Sequence, residues 1–500
     1  MLQAIIQSPK YKWWVFGTIA VGIFFSVVDH DSVQIALPGI ETHFNSDLPT
    51  VQWVVVGYAL TISVLLLPMG KLSDIVGRKR VYVVGMVIYM IAAAFAGFAV
   101  DITMLIIARI FQGIGSAMIQ GIAMAMIITA FPAKERGKAL GLNMSVVGVG
   151  AIIGPALGGL LVDVLGWRWV FWVNIPIGIF TIIASMLILE RGATASSPPQ
   201  DESQRFDWLG AALSGSALLL FLLVMSNAHR LGWTSYLVTV GGITSVALAA
   251  AFIWWELRVA SPMLELRLFK RKLVAMGVAA GWLSFFGTSA TRFMVPFYLQ
   301  RLLGLTPGEV GLLVIPSAVC MIVVGPVTGG LSDKFGWRAF TIAGLTLSAT
   351  ASFILASSLA ANSPVILIVA MLMLQSTGIG LFNSPNNSSI YAGVESSSYG
   401  VVASLTQLVR NSANVVSIAM ATTVVVVVVV MGMKGAEPSL DAVSPQVADA
   451  FVSGLRAAFL VMGGFTTVGL IITIVRGNRA PSPQPSQIER EGAAVSTVGK

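Results

Sequence analysis

A chain of 500 residues that is 56% apolar and only 10% charged has too little polar surface to coat a soluble fold, where about 25% of residues are charged. It is expected to be an integral membrane protein. A single cysteine, Cys320, excludes an internal disulfide framework, and three scattered histidines, His30, His43 and His229, exclude a histidine-based zinc motif. No phosphate-binding G-x-x-x-x-G-K-[ST] occurs, no cofactor or metal is expected, and the net charge of +8 is read as a topology signal rather than as affinity for nucleic acid.

In chain order, the first apolar run, 13–37, is too long for a signal-peptide core and lacks a small-residue cleavage site, so it reads as the first span. Its "VVDHDSVQIALP" (27–38) places Asp29, His30 and Asp31 within the apolar stretch, where each carboxylate costs roughly 2.5–3.5 kcal/mol. Further spans follow at 51–70, 81–100, 103–128 (with Arg109), 138–162 and 169–189, each long enough for a hydrocarbon core about 30 Å thick. In 138–162, Gly150, Gly154 and Gly158 recur every fourth residue, which lets a second helix approach closely, and Pro155 permits a bend. After the polar "RGATASSPPQDESQR" (191–205) come 207–227 and 235–255, then 272–297 (with Arg292), 307–330, 338–359, 364–388, 400–431 (with Arg410) and 455–475. The tail from 479 is rich in Pro and Ser and reads as disordered. The run of valines at 424–430 reads as lipid-facing filler, and methionines on a cavity wall would suit a promiscuous apolar site.

With both termini in the cytoplasm, only Arg168, Arg230, Arg301 and Lys434 of the 30 basic residues fall outside, while Arg109, Arg292, Arg410 and Arg456 lie in spans or at their edges. That bias sets the orientation. "GKLSDIVGRKR" (70–80) recurs as "GLSDKFGWRA" from 330, with Asp74 matching Asp333 and Gly77 matching Gly336. The duplication implies two related six-helix bundles. The expected organisation is a bundle over 1–190, a cytoplasmic linker at 191–206, two inserted helices and a cytoplasmic loop over 207–271, a second bundle over 272–478, and a tail at 479–500. The inserted pair is placed at the periphery. The fold class is thus all-α integral membrane, two pseudo-symmetric six-helix bundles plus two inserted helices, fourteen spans in all.

"GKLSDIVGRKR" resembles the signature loop between the second and third spans of the major facilitator superfamily. "LIIARIFQGIGSA" (105–117) is similar to its fourth-span motif, and "GAIIGPALGG" (150–159), with Gly150, Gly154, Pro155, Gly158 and Gly159, to the fifth-span motif associated with antiporters. "WVVVGYAL" (53–60) and "WRWVFWVNIPIG" (167–178) resemble the fourteen-span drug:proton antiporter branch. The resemblance implies a multi-pass transporter of the cell (inner) membrane. It also implies a cytoplasmic gate formed by Gly70, Asp74, Gly77, Arg78, Lys79, Asp333 and Arg338, and an antiporter-type hinge at the fifth-span glycines and Pro155. Aligned with the family's first-span motif, Asp29 falls on the family acid, while Asp31 stands where Thr is usual and Gln34 where Asn is usual; Arg410 matches an arginine of the fourteen-span branch.

Residues two apart on a helix point about 200° apart, so Asp29 and Asp31 face different neighbours. At about 1.5 Å per residue, Asp31 lies roughly 10 Å deep, Asp29 roughly 13 Å and Arg109 roughly 10 Å, so an acid–arginine pair between the first and fourth spans is expected. Such a pair offsets the cost of burial and leaves a proton site for which cargo can compete. Asp29 is the expected exchanged acid because it matches the family position. His30 is compatible with titration or with a packing role. Arg292 is expected to pair with Asp29 or Asp31 when the outside is shut. The resulting expectation is a proton-coupled antiporter, working as a monomer, that exports amphipathic, cationic compounds, with membrane lipid around it and no nucleic-acid partner. Alternatives are a lipid or anionic-metabolite transporter of the same fold, a membrane-embedded enzyme, which the lack of clustered catalytic residues disfavours, or a non-transporting receptor.

Overall fold

A computed structural model describes residues 10–131, 136–189, 207–232, 234–259, 269–394, 399–432 and 445–477. The linker expected at 191–206 and the tail at 479–500 lie outside the described residues. Among the described residues, fourteen helices are long and apolar enough to cross a membrane. They are α1 (Tyr11–His43), α2 (Trp53–Val76), α3 (Arg78–Gly97), α4 (Ile102–Ala130), α5 (Arg136–Leu165), α6 (Asn174–Ile188), α7 (Trp208–Leu231), α8 (Tyr236–Glu256), α9 (Lys272–Phe297), α10 (Pro307–Phe335), α11 (Trp337–Ser358), α12 (Val365–Ala392), α13 (Tyr399–Gly432) and α14 (Pro445–Val475). The face on which α1 begins is called proximal and the opposite face distal.

Local chemistry sets the helix ends. Asp101 accepts the Met104 amide at 2.7 Å to start α4, and Thr306 with Glu309 forms a capping box ahead of α10. Gly77 and Gly336, at φ 102° and 85°, break α2 from α3 and α10 from α11, a backbone region that L-residues other than glycine rarely enter. Several helices outrun their expected bounds: α1 continues past Pro38 to His43, α2 runs on to Val76, and α14 begins ten residues before 455.

The repeat is visible in contacts. Gly85 of α3 crosses Gly115 of α4, and a Cβ on Gly115 would lie 2.6 Å from the Gly85 carbonyl. In the second bundle Gly344 of α11 crosses Gly378 of α12, where a Cβ on either would lie 2.5 Å from the other's carbonyl. Lys79 donates to the Met186 carbonyl at 2.9 Å and to that of Leu189, capping the end of α6. Arg338, its counterpart 259 positions later in the sequence, donates to the Ile474 carbonyl at 3.0 Å at the end of α14. Cations suit helix C-termini, where carbonyls lack intrahelical donors.

Helices α1–α6 and α9–α14 form the two bundles, which meet through α5 against α10 and α2 against α13. Of the inserted pair, α8 packs on α7 and exposes Tyr236, Ile243 and Val246. By contrast, α7 touches both α2 and α13, so it lies across a seam between the bundles rather than wholly at the periphery. Asp207 ties the pair together, accepting the Gly210 amide at 2.8 Å and the Trp255 indole N–H at 3.0 Å.

On the distal side the bundles are cross-linked. The α9 helix runs into a π-helical turn, Tyr298–Leu302, which carries two residues across to α1. Gln300 Nε2 donates to the Ile35 carbonyl at 3.0 Å, and Arg301 Nη2 pairs with Glu41 Oε2 at 2.7 Å. Gly159 of α5 lies against the Pro307 carbonyl, and Gly311 of α10 against that of Pro155, leaving no room for side chains. At mid-depth Gln407 Nε2 donates to Gln120 Oε1 at 2.7 Å.

The ion pair is nearly dry at its Glu41 end, so losing one partner leaves a costly charge and shifts the balance toward a distally open form. With Cys320 replaced by Ala and a single cysteine at Gln34, Glu41→Gln or Arg301→Gln is expected to raise maleimide labelling of the purified protein several-fold. Exchanging the two charges should bring labelling back toward the parent.

Candidate functional site

The sequence puts three hydrogen-bond donors around one carboxylate. Asp29 of α1 has no solvent-exposed side-chain surface and accepts from Arg109 Nη1 at 2.7 Å. Its other oxygen accepts from Asn174 Nδ2 at 2.9 Å and Gln112 Nε2 at 3.2 Å. Arg109 in turn donates through Nε to the Val54 carbonyl at 3.0 Å and through Nη1 to Gln112 Oε1 at 2.7 Å. Its guanidinium also lies 4.2 Å from the centre of the Tyr58 ring, an attraction that strengthens when desolvated. Arg109 and Gln112, three apart on α4, share one face. The pair expected from depth alone is therefore present, and it draws α1, α2, α4 and α6 together. Asn174, at the start of α6, had no assigned role in the sequence reading, although an amide within an apolar run was its available signal.

From Tyr58 a chain of polar groups runs toward the second bundle. Ser26, Tyr58 and Ser116 are mutually within 2.9–3.1 Å, Gln120 donates to Ser116 at 2.9 Å, and Gln407 of α13 closes on Gln120. His30 belongs to this packing: its Nε2 lies 3.1 Å from Gln34 Nε2, and its ring stacks on Tyr58.

Asp31 is placed differently. It lies against α5 at Gly154, where a Cβ would come within 2.9 Å of its own, and among the described residues no hydrogen bond or ion pair engages its carboxylate. The charges that reach it are those of Arg292 on α9 and Arg410 on α13. Arg292 is exposed and its Nη2 rests 3.7 Å from Met321 Sδ. It pairs with neither Asp29 nor Asp31, contrary to expectation, although the distal side is closed. Asp29 is already saturated by Arg109, Gln112 and Asn174, and the Arg292 guanidinium is turned to α10. Arg410 is half-buried, and next to it in the chain Asn411 has a buried Nδ2 without a partner.

The five fifth-span residues divide by face. Gly150, Gly154 and Gly158 lie on Val27, Val28 and Ser32 of α1, and the Ser32 hydroxyl donates to the Gly154 carbonyl at 2.7 Å. Gly159 and the Pro155 carbonyl meet α10. Of the gate residues, Gly70 of α2 lies 3.5 Å, measured from an added Cβ, from the Gly121 carbonyl. Gly77 makes the turn, Arg78 opens α3, and Lys79 and Arg338 cap helices of their own bundle. The side chains of Asp74 and Asp333 lie outside the described residues. In the second bundle the places matching Asp29 and Gln112 are held by Thr288 and Gln375, and Gln375 donates to the Thr291 hydroxyl at 3.2 Å; among the described residues that core carries hydroxyls and amides instead of an ion pair.

Two six-helix bundles related by an internal repeat, with ionisable side chains buried at mid-membrane, are the architecture of a membrane transporter. The family model of the Major Facilitator Superfamily matches residues 19–418, and the chain belongs to that superfamily; it is a transporter. It is 33% identical over 403 residues to the riboflavin transporter RibZ of Clostridioides difficile, covering 80% of this chain and 86% of that one. It is 31% identical over 338 residues to the tetracenomycin C resistance and export protein of Streptomyces glaucescens, covering 67% and 62%. With the multidrug resistance protein Stp of Mycobacterium tuberculosis it shares 32% identity over 328 residues, covering 65% and 60%. The fold is similar to that of a bacterial homologue of the human lysosomal transporter Spinster in an inward-facing, unoccupied conformation, with TM-score 0.65, 16% identity, and coverage of 95% and 100%.

Breaking the inner ion pair should be felt as stability. Asp29→Asn leaves Arg109 without a countercharge, and a loss of about 3–5 kcal/mol is expected for such a buried break. It would be read as a lowered unfolding midpoint in detergent. Asp29→Leu with Arg109→Leu should cost less than the sum of the two single changes.

Proposed function

We propose that the protein is a proton-coupled exporter of amphipathic small molecules, working as a monomer in the cell membrane with both termini cytoplasmic. In this reading the proximal face is the cytoplasmic one, and the bundles at 1–190 and 272–478 rock about the seam with α5 as the hinge surface. Gly70, Asp74, Gly77, Arg78, Lys79, Asp333 and Arg338 form the cytoplasmic gate. Two of the relatives described above are named for export or drug resistance, which supports the outward direction.

The observation that carries the proposal is the contrast between two acids two residues apart. Asp29 is closed off by three donors, whereas the Asp31 carboxylate has no partner among the described residues and stands between the bundles. The exchanged proton therefore sits on Asp31, not on Asp29 as its family position suggested. Cargo arriving from the cytoplasm takes the place of the proton at Asp31, and a proton arriving from outside displaces cargo. Each inward proton brings about 2.3 kcal/mol per 100 mV of membrane potential. The cationic charge expected of the cargo loses its support, because the charges that reach Asp31 are those of Arg292 and Arg410.

Proteoliposomes with an imposed pH gradient test this. Uphill movement of a fluorescent amphiphile should need the gradient and collapse with a protonophore. Asp31→Asn should abolish the uphill component while leaving downhill exchange measurable. Full gradient-driven accumulation by Asp31→Asn would remove the proposal.

A further inference from the structure

The bundles are joined very differently at their two ends. Distally a single apolar core runs through both: Val33, Ile35 and Leu37 of α1 share it with Phe293 and Phe297 of α9 and Val416 of α13. Proximally the cores are separate. One, around Ile19, Tyr58 and Met118, lies in the first bundle, and another, around Val278, Ile390 and Val402, lies in the second. Among the described residues, Leu408 of α13 is the one apolar side chain of the second bundle that packs on the first bundle's proximal core.

Next to Leu408, Gln407 Nε2 donates to Gln120 Oε1 at 2.7 Å. The contact lies about 15 Å inward of Ala130, the proximal end of α4, and about 12 Å inward of Tyr399, that of α13. Among the described residues, the side-chain hydrogen bonds that cross between the bundles are this one and the two distal bonds of Gln300 and Arg301. Between these closures Asp29, Asp31 and Gln34 of α1 are all buried.

Gln120 is not free to turn. Its Nε2 donates to Ser116 at 2.9 Å and to Ser26 at 3.2 Å, and both hydroxyls bond Tyr58 Oη, at 2.9 Å and 3.1 Å. With the amide hydrogens engaged there, Oε1 is left as the acceptor for Gln407. A closure made of one neutral hydrogen bond and one leucine is weak beside an apolar core shared by both halves.

We infer that Gln120 and Gln407 are the proximal latch of the transporter. The structure is closed at both ends, the Ser26–Tyr58–Ser116 cluster positions Gln120, and breaking this one bond opens the proximal side. The latch covers the enclosed segment that bears Asp31, so what it admits rests on the export reading above; whether it closes the seam does not.

Labelling with a membrane-impermeant maleimide in right-side-out and inverted vesicles tests it. Cys320→Ala with Asn411→Cys puts one thiol at a buried position a turn distal of Gln407. In a separate variant Lys334→Cys, exposed at the end of α10, marks the proximal face. Gln407→Leu or Gln120→Leu should raise labelling at 411 about fivefold from the proximal face, as expected for one lost neutral bond, and leave it unchanged from the distal face. The double change should raise it no further than either single one, because the bond is shared. Gln120→Glu, which keeps an acceptor for Gln407, should stay near the parent, whereas Ser116→Ala or Tyr58→Phe should raise labelling by a smaller factor. Gln407→Asn, too short to reach Gln120, replaces the leucine variant if that fails to fold. Unchanged labelling in both leucine variants, or independent effects of the two, would overturn the latch. The readout needs neither gradient nor cargo. If it came out as expected while Asp31→Asn kept full gradient-driven accumulation, the exchange reading would fall and the latch would stand.

Discussion

The contact between Asp29 and Arg109 decides how the rest of the first bundle is built. An isolated carboxylate and an isolated guanidinium at that depth are each expensive. Together, with Gln112, Asn174, the Val54 carbonyl and the Tyr58 ring arranged around them, they become a neutral, hydrogen-bonded unit. Four helices are held in register by it, since each contributes one of the partners. A second consequence falls on the neighbouring acid. Because the pair consumes Asp29 and turns it toward α4 and α6, helical geometry turns Asp31 the other way, toward α5 and the seam.

The α5 helix is the wall common to both halves. Its glycines let α1 approach until Ser32 bonds the α5 backbone, and one residue past Gly158 the opposite face receives α10 with equally little clearance. Packed interiors transmit displacement because they have no slack. A tilt of α10 would therefore be passed through α5 to the segment of α1 that bears Asp31. The distal ends of α1 and α9 are repeat-related, and they are also the ends that the π turn joins through Gln300 and Arg301. A π turn inside a helix is a local departure from the favoured hydrogen-bond register, and here it is the departure that brings both side chains onto α1.

Much of this was legible in the sequence, for reasons that also mark the boundary of what was not. Long apolar runs and the bias of Lys and Arg give fourteen spans without reference to packing. The recurrence of Gly77 at Gly336 gives the bundles, and equal depth gives Asp29 with Arg109. Counting residues along a helix fixes height but not the neighbour met at that height. Arg292, expected beside Asp29 or Asp31, meets Met321 instead. Glu41 falls beyond the span expected at 13–37, although proline inside a membrane helix need not end it, and Pro38 lies within α1. The early start of α14 was hidden by the polar residues of its first turns. Asn174 and Gln112 were visible as amides in apolar runs, but nothing in one dimension says that both converge on one oxygen of Asp29.

The two bundles have diverged in charge, and in the proposed exchange that divergence would tie the proton to the motion. The first bundle keeps a compensated pair and adds an uncompensated acid, Asp31. The second has Thr288 in the place of Asp29 and carries Arg292 and Arg410, whose charges reach Asp31. Opposite charges thus stand on opposite bundles, in a region where water is scarce and Coulomb attraction is several-fold stronger than in bulk. An ionised Asp31 draws the second bundle toward the first. A neutral Asp31 withdraws that attraction and leaves the two arginines repelling each other. In the proposed exchange, titration of Asp31 would change the force between the halves, so the charge asymmetry of the repeat would link protonation to tilt with no separate relay.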